Sequence, residues 1–139
     1  MNRFKGFTLI ELMVVLVILG LLAGLVGPRL FGKVDSSKVR TADTQIKMIR
    51  GALQTYRLDV GHYPSTAQGL AALQIPPSEV ATYWDGPYME DEIPDDPWRV
   101  SYLYEFPVDN LQGFALYSLG ADSAEGGEGI YADIGYLRE

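Results

Sequence analysis

The stretch from Phe7 to Val26, FTLIELMVVLVILGLLAGLV, decides how this chain is organised. It has the length of about 20 residues that a helix needs to cross the hydrocarbon core of a membrane. The basic residues Arg3 and Lys5 precede it, which places the N-terminus in the cytoplasm by the positive-inside rule. The sequence therefore predicts a single membrane-spanning helix with the rest of the chain on the far side.

A secretory signal peptide and a plain single-span anchor are the alternatives. A signal peptide is cut after small residues, and Leu25 is bulky where the candidate cleavage site needs a small one. A plain anchor accounts for everything except Glu11, because a carboxylate at mid-membrane costs about 2.5–3.5 kcal/mol and less near the interface. Glu11 either lies shallow and reaches the headgroups or pairs with a positive group on another subunit. Cleavage between Gly6 and Phe7 would create such a group, a new α-amino terminus.

The motif Lys5-Gly6-Phe7-Thr8-Leu9-Ile10-Glu11 resembles the class III signal of type IV pilins and pseudopilins. The resemblance implies that a prepilin peptidase cuts after Gly6 and N-methylates Phe7. It also implies that Glu11 pairs with the N-terminus of a neighbouring subunit during assembly. Residues 1–6 are then a leader peptide, residues 7–27 a transmembrane and fibre-core helix, and residues 28–139 a periplasmic domain.

Beyond the apolar run, the pattern predicts one long helix followed by a small sheet. Gly27 and Pro28 should kink the helix or melt it locally. An amphipathic stripe then continues to residue 58, with apolar residues at Val34, Val39, Ala42, Ile46, Ile49, Leu53 and Tyr56. A short capped helix is expected at 65–73 and strands at 101–106, 114–119 and 130–134. This is an α+β fold, with a long N-terminal helix packed on a small antiparallel sheet as in type IV pilins.

Composition excludes several classes of function. The net charge is -7 and the acidic residues crowd the distal half, which argues against nucleic acid, since phosphate binding needs clustered Lys and Arg. The chain has no cysteine, which excludes disulfides and thiolate chemistry. His62 is the single histidine, and no catalytic constellation forms around it. We expect a structural protein that is not an enzyme.

The segment Leu119 to Ile134, LGADSAEGGEGIYADI, is the strongest site candidate. Four acidic residues share this Gly-rich loop: Asp122, Glu125, Glu128 and Asp133. Carboxylate and carbonyl oxygens on a bent backbone are the ligands that calcium takes, about six to eight of them. A flexible acidic turn without a metal is the alternative.

Further motifs resemble the major pseudopilin family of the type II secretion system over nearly the whole chain. They are Trp84-Asp85-Gly86-Pro87-Tyr88, Asp96-Pro97-Trp98, Tyr117-Ser118-Leu119-Gly120-Ala121-Asp122, Gly126-Gly127-Glu128-Gly129 and Ala132-Asp133-Ile134. The resemblance implies a periplasmic calcium site (Ca²⁺) made by the carboxylates of Asp122 and Asp133 and the backbone carbonyl of Leu119. Glu125 and Glu128 are weaker candidates. The chain departs from the family at Ser123, usually glycine, and at Tyr136, usually asparagine.

The resemblance implies a subunit that forms a homopolymer, the periplasmic pseudopilus that helps to drive folded proteins across the outer membrane. Its implied partners are further copies of itself, minor pseudopilins, the inner-membrane secretion platform and the prepilin peptidase, with membrane lipid around it before assembly. Two alternatives stay open. One is a type IV pilus subunit for adhesion or motility, although the C-terminal cysteines usual there are absent. The other is a membrane-tethered binding domain that never polymerises.

Overall fold

The structure is a computed structural model that describes residues 5–139. A long helix, α1, spans Leu9–Val60. Three short strands follow it: β1 at Leu103–Glu105, β2 at Ala115–Ser118 and β3 at Ile134–Tyr136. Short 3-10 turns lie at Leu70–Leu73, Ser78–Val80, Gly120–Asp122 and Gly129–Tyr131. This element order confirms the predicted α+β fold with one long N-terminal helix and a small antiparallel sheet.

The chain divides into two compact units, Met1–Ser36 and Ser37–Glu139. The described part of the first unit holds the N-terminal part of α1, whose apolar residues are exposed. The second unit holds the remainder of α1, the sheet and the connecting loops. The hydrophobic core therefore belongs to the second unit.

The core forms where one face of α1 is buried within the second unit. The buried helix residues follow a spacing of three and four, as an amphipathic helix requires: Ala42, Ile46, Ile49, Leu53 and Tyr56. All of these except Ala42 belong to one cluster with Ala52, which is also buried on α1, and with Phe114 and Leu116 of the sheet region. The predicted stripe is confirmed for these five positions. Val34 and Val39, which precede the buried stretch, are exposed and half-buried.

Strand β2 lies at the centre of the sheet, between β1 and β3, and both pairings are antiparallel. All four residues of β2 are buried, whereas β1 and β3 are only partly covered. In register, Tyr117 of β2 faces Leu103 of β1 and Gly135 of β3. Since β2 runs directly into the 119–133 loop and β3 leaves it, the sheet holds both ends of that loop.

Helix α1 ends at Val60, directly before a glycine. The Gly61 amide donates to the Arg57 carbonyl at 2.8 Å, and Gly61 has a φ of 97°. This is the αL type of helix end, in which a left-handed residue turns the chain away. The helix predicted at 65–73 forms only in part, because Gly69 interrupts it at a φ of 63°. The Ser65 hydroxyl does cap the Gln68 amide at 3.2 Å.

Two further predictions need correction. Helix α1 continues through Gly27 and Pro28, so local melting is absent, whereas the kink expected at these residues stays a prediction. Proline removes one donor, the one that would reach the Gly24 carbonyl, and the flanking turns keep their own hydrogen bonds. The strand predicted at 130–134 begins only at Ile134, since Gly129–Tyr131 form a 3-10 turn. A short apolar run alone does not distinguish a strand from such a turn.

Candidate functional site

The start of α1 has the geometry of a capped helix end. The Thr8 hydroxyl accepts a hydrogen bond from the Glu11 amide at 3.3 Å, and the Thr8 carbonyl accepts one from Leu12 at 3.2 Å. Thr8 is therefore the N-cap residue and Glu11 the third residue of the helix, the spacing of a capping box. The Thr8-x-x-Glu11 pattern in the sequence is itself a signal for this cap. The Glu11 carboxylate also lies in the first turn of α1, where a negative charge is favourable.

Gly6 and Phe7 precede the helix and are exposed. Phe7 has 79% of its surface accessible to solvent. A scissile bond must be accessible and outside regular structure for a peptidase to bind it, and the Gly6–Phe7 bond meets both conditions. The predicted cleavage and N-methylation at these two residues stay predictions.

The first part of α1 is an apolar surface without cover from its own chain. All residues from Lys5 to Val26 are exposed, and Glu11 is the one charged residue between 7 and 26. Among residues 5–139, α1 alone is long and apolar enough to cross a membrane, and its most apolar window has no buried area. Such a surface requires lipid or other protein around it in water.

The second candidate site is the 119–133 loop, where Asp133 has an unusual environment. Its Oδ2 atom accepts a hydrogen bond from the Gly126 amide at 3.0 Å. Its Oδ1 atom is buried and has no hydrogen-bond partner within the described chain. A buried carboxylate oxygen without a donor is costly, so an external partner is needed. Calcium, which binds carboxylate oxygens directly, fits this requirement.

The other acidic residues of the loop are more exposed than Asp133. Asp122 accepts a hydrogen bond from the Ala124 amide at 3.1 Å, which folds the loop back on itself. Glu125 lines a surface cleft together with Asp133, and Glu128 is exposed. Across the described residues, no three Asp, Glu, His or Cys side chains converge closely enough to hold a metal. The structure therefore does not bring the four carboxylates together as one set, and backbone carbonyls or water must complete any calcium site.

Gly120 brings the two ends of this loop together. It has a φ of 74°, and a Cβ added there would lie 2.8 Å from the carbonyl oxygens of Ile130 and Ala132. The segment that carries Leu119 and Asp122 therefore packs directly on the backbone that leads into Asp133. The motif showed that glycine occurs here, but only the structure shows the close approach that requires it.

Two family models match the chain. A family model described as type II secretion system (T2SS), protein G matches residues 29–137, and one described as the prokaryotic N-terminal methylation motif matches residues 1–27. The chain belongs to the type II secretion system protein G family. Gly6, Phe7 and Glu11 lie within the methylation motif, and the 119–133 loop lies within the protein G match.

Relatives of this protein G chain cover it almost completely. It is 48% identical over 134 residues to the type II secretion system core protein G of Pseudomonas aeruginosa, covering 94% of this chain and 93% of the relative. It is 44% identical over 137 residues to that of Vibrio cholerae, covering 97% and 92%. The crystal structure of the major pseudopilin from enterohaemorrhagic Escherichia coli matches with a TM-score of 0.61 at 27% identity, covering 77% of this chain and 92% of that one.

Tyr136, one of the two positions where the resemblance leads us to expect a different residue, has a clear structural role. The Arg50 guanidinium donates a hydrogen bond to the Tyr136 hydroxyl at 2.9 Å and lies 5.3 Å from the centre of its ring. Tyr136 thereby connects β3 to α1 within the second unit. Ser123, the other departure, has a φ of 53°, a left-handed conformation that favours glycine. This protein G chain therefore carries backbone strain in the candidate calcium loop.

Proposed function

We propose that this chain is a structural subunit that polymerises into the periplasmic pseudopilus of a type II secretion system and helps to drive folded proteins across the outer membrane. The observation that carries the proposal is Glu11, one carboxylate on an apolar helix surface that its own chain leaves exposed. Either lipid or other copies can cover the apolar side chains. The processed N-terminus of another copy would also offer a positive charge to Glu11. This is a structural role, and we assign no catalytic residues to it.

The same proposal includes processing and topology. A prepilin peptidase removes residues 1–6 and N-methylates Phe7, residues 7–27 span the inner membrane, and residues 28–139 lie in the periplasm. The methylation-motif match over 1–27 supports this, as do the exposed Gly6–Phe7 bond and the apolar helix that follows. Assembly then joins copies of the chain, with minor pseudopilins and the inner-membrane secretion platform as further partners.

Replacing Glu11 tests the assembly role. Glu11→Gln removes the charge but keeps a side chain that serves in a capping box, whereas Glu11→Leu removes both. If the charge pairs with a neighbour's N-terminus, both variants are cut after Gly6 yet fail to form fibres. Mass spectrometry of the membrane-extracted protein reports the terminus, and electron microscopy and sedimentation report the fibres.

Asp43→Asn is the matched control, because Asp43 is another carboxylate on α1 whose ion pair with Lys47 is exposed and weak. It should assemble normally. Normal fibres from Glu11→Leu would overturn the pairing role of Glu11. A wild-type chain that is cut after Gly6 yet forms no fibres would instead favour a membrane-tethered domain that does not polymerise. Cells that carry the Glu11 variants should release fewer secreted proteins into the medium and keep their surface adhesion. This result distinguishes the secretion role from that of a type IV pilus.

We also propose that the 119–133 loop binds one calcium ion. Asp133, Asp122 and the Leu119 carbonyl are the residues that would hold it, with Glu125 beside Asp133 as a further oxygen source. The unpartnered Oδ1 atom of Asp133 is the main support. Bound calcium would neutralise the negative charge of the loop and tie down a segment whose side chains are mostly exposed.

Thermal unfolding of the detergent-solubilised full chain tests the calcium proposal. Calcium at about 100 times its Kd would stabilise the folded state by roughly 2.7 kcal/mol, and a chelator would remove that gain. Asp133→Ala and Asp122→Ala should lose the difference between calcium and chelator. Glu90→Ala, in an exposed acidic cluster outside the loop, should keep it. An unchanged wild-type melting temperature in chelator would remove the calcium site from the proposal.

A further inference from the structure

Asp96 is a buried carboxylic acid with only 4% of its surface accessible. Its Oδ1 atom accepts hydrogen bonds from the amides of Trp98 and Val100 at 3.0 and 2.9 Å. Its Oδ2 atom accepts one from the Ser118 hydroxyl at 2.6 Å. A buried acid needs such donors to offset its lost hydration. Asp96 therefore joins the turn before β1 to the last residue of β2.

Ser118 extends this contact towards the 119–133 loop. The side chain is 1% exposed, and its hydroxyl oxygen accepts a hydrogen bond from the Gly120 amide at 3.1 Å. The same hydroxyl thus donates to Asp96 and accepts from Gly120. This buried chain of contacts, Asp96 to Ser118 to Gly120, fixes the backbone at the point where the loop leaves the sheet.

Gly120 also lies close to the other end of the loop. Its α-carbon packs on the carbonyls of Ile130 and Ala132, directly before Asp133. Leu119 and Asp122 flank Gly120 on the other side. The oxygen donors proposed for calcium therefore come from two backbone segments, and the relation between those segments is held by Gly120.

We infer that Asp96 and Ser118 are positioning residues for the calcium loop, which they hold through the Gly120 amide without touching the ion. The inference rests on the calcium site proposed above. Both residues lie outside that ligand set, and their residue types alone do not indicate a role at the site. When a side chain that holds a metal ligand in place without touching the metal is replaced, the metal affinity typically falls by about 10–100-fold.

The direction of the hydrogen bonds explains why an acid is needed at position 96. A carboxylate only accepts, so the Ser118 hydroxyl must donate to it and keeps both lone pairs free, one of which accepts from the Gly120 amide. In Asp96→Asn, the amide oxygen would stay with the two backbone donors and the NH₂ group would face Ser118. The serine oxygen would then receive two donors while its own proton lacked an acceptor. The variant keeps the side-chain volume yet disturbs the contact to Gly120.

Calcium titration of the detergent-solubilised full chain by calorimetry tests the inference, with unfolding in chelator measured on the same samples. Ser118→Ala should raise the Kd for calcium by about tenfold, and Asp96→Asn should do the same. Ser101→Ala is the matched control, since the Ser101 hydroxyl also donates to a carboxylate, that of Asp95 at 3.1 Å, but at an exposed site. Its calcium affinity should equal that of the wild type.

The outcomes separate this inference from the proposal beneath it. A general structural role for Ser118 would lower the melting temperature in chelator and leave the calcium Kd unchanged, and that result overturns the inference while the calcium site stands. If Ser118→Ala does not fold, the isosteric Asp96→Asn decides in the same way. A wild-type chain that shows no heat of calcium binding and no response to chelator overturns both.

Discussion

Replacing Gly120 by alanine measures how closely the two ends of the 119–133 loop approach. Two costs add at this position. A left-handed φ, here 74°, costs an alanine about 1–2 kcal/mol relative to glycine. The new Cβ would also lie 2.8 Å from two backbone carbonyl oxygens, so the 130–132 segment has to move. Overpacking of this kind typically costs about 1–3 kcal/mol, which gives an expected loss of roughly 2–5 kcal/mol in the free energy of unfolding.

Gly126→Ala provides the matched control in the same loop. Gly126 has a φ of 81°, but nothing lies within 4 Å of an added Cβ. The Gly126→Ala variant should therefore lose only the part of the free energy of unfolding that comes from the left-handed conformation, about 1–2 kcal/mol. Urea unfolding of the full chain in detergent and chelator, followed by the fluorescence of Trp84 and Trp98, gives both values. Equal losses for the two variants would refute the close approach at Gly120 and, with it, the coupling across the loop.

Three other predictions concern the second unit. Ser123→Gly should raise the free energy of unfolding by up to about 1 kcal/mol in a thermal melt, because it relieves a φ of 53°. Asn110→Ala should lower it by about 1–3 kcal/mol in urea, since the Asn110 side chain makes four hydrogen bonds to backbone groups. Burial raises the pKa values of Tyr102 and Tyr104, so stability should be level below about pH 10 and fall above it as the unfolded chain loses phenolic protons first. The urea midpoint against pH checks this, and Tyr104→Phe should lessen the fall.

The sequence predicts the architecture well because its strongest patterns are long. Five stripe positions on α1, from Ala42 to Tyr56, are buried as the helical period requires. Val34 fits the same period and is exposed; it belongs to the first unit, whereas the buried core residues belong to the second. Periodicity predicts which face of a helix is apolar, but it does not show how many turns of that face are buried. A second limit concerns the predicted strand at 130–134. Its run of apolar residues is too short to distinguish a strand from the 3-10 turn that forms at Gly129–Tyr131.

The candidate site was predictable in its residue types but not in its supporting contacts. An acidic Gly-rich loop indicates oxygen ligands from the sequence alone. Asp96 lies in a stretch of acidic residues and prolines, where carboxylates are usually solvated, and Glu90 to Glu92 in the same region are indeed exposed. Its burial depends on two local amides and on Ser118, which is 22 positions away in the chain. A single sequence has no local pattern that predicts a contact between two residues so far apart in the chain.

The position of Glu11 explains how one residue can serve both the single chain and the fibre. As the third residue of α1, its charge lies near the unpaired amides of the helix end, where an acid gains about 0.3–1 kcal/mol. That is less than the roughly 2.5–3.5 kcal/mol that a carboxylate costs at mid-membrane, so the cap offsets only part of the cost, and a shallow depth reduces the remainder. A positive terminus at Phe7 of a second copy would remove what is left, and it can do so only when two helices lie side by side. Assembly should therefore respond to the charge at Glu11 more than to its capping, and the comparison of Glu11→Gln with Glu11→Leu measures that difference.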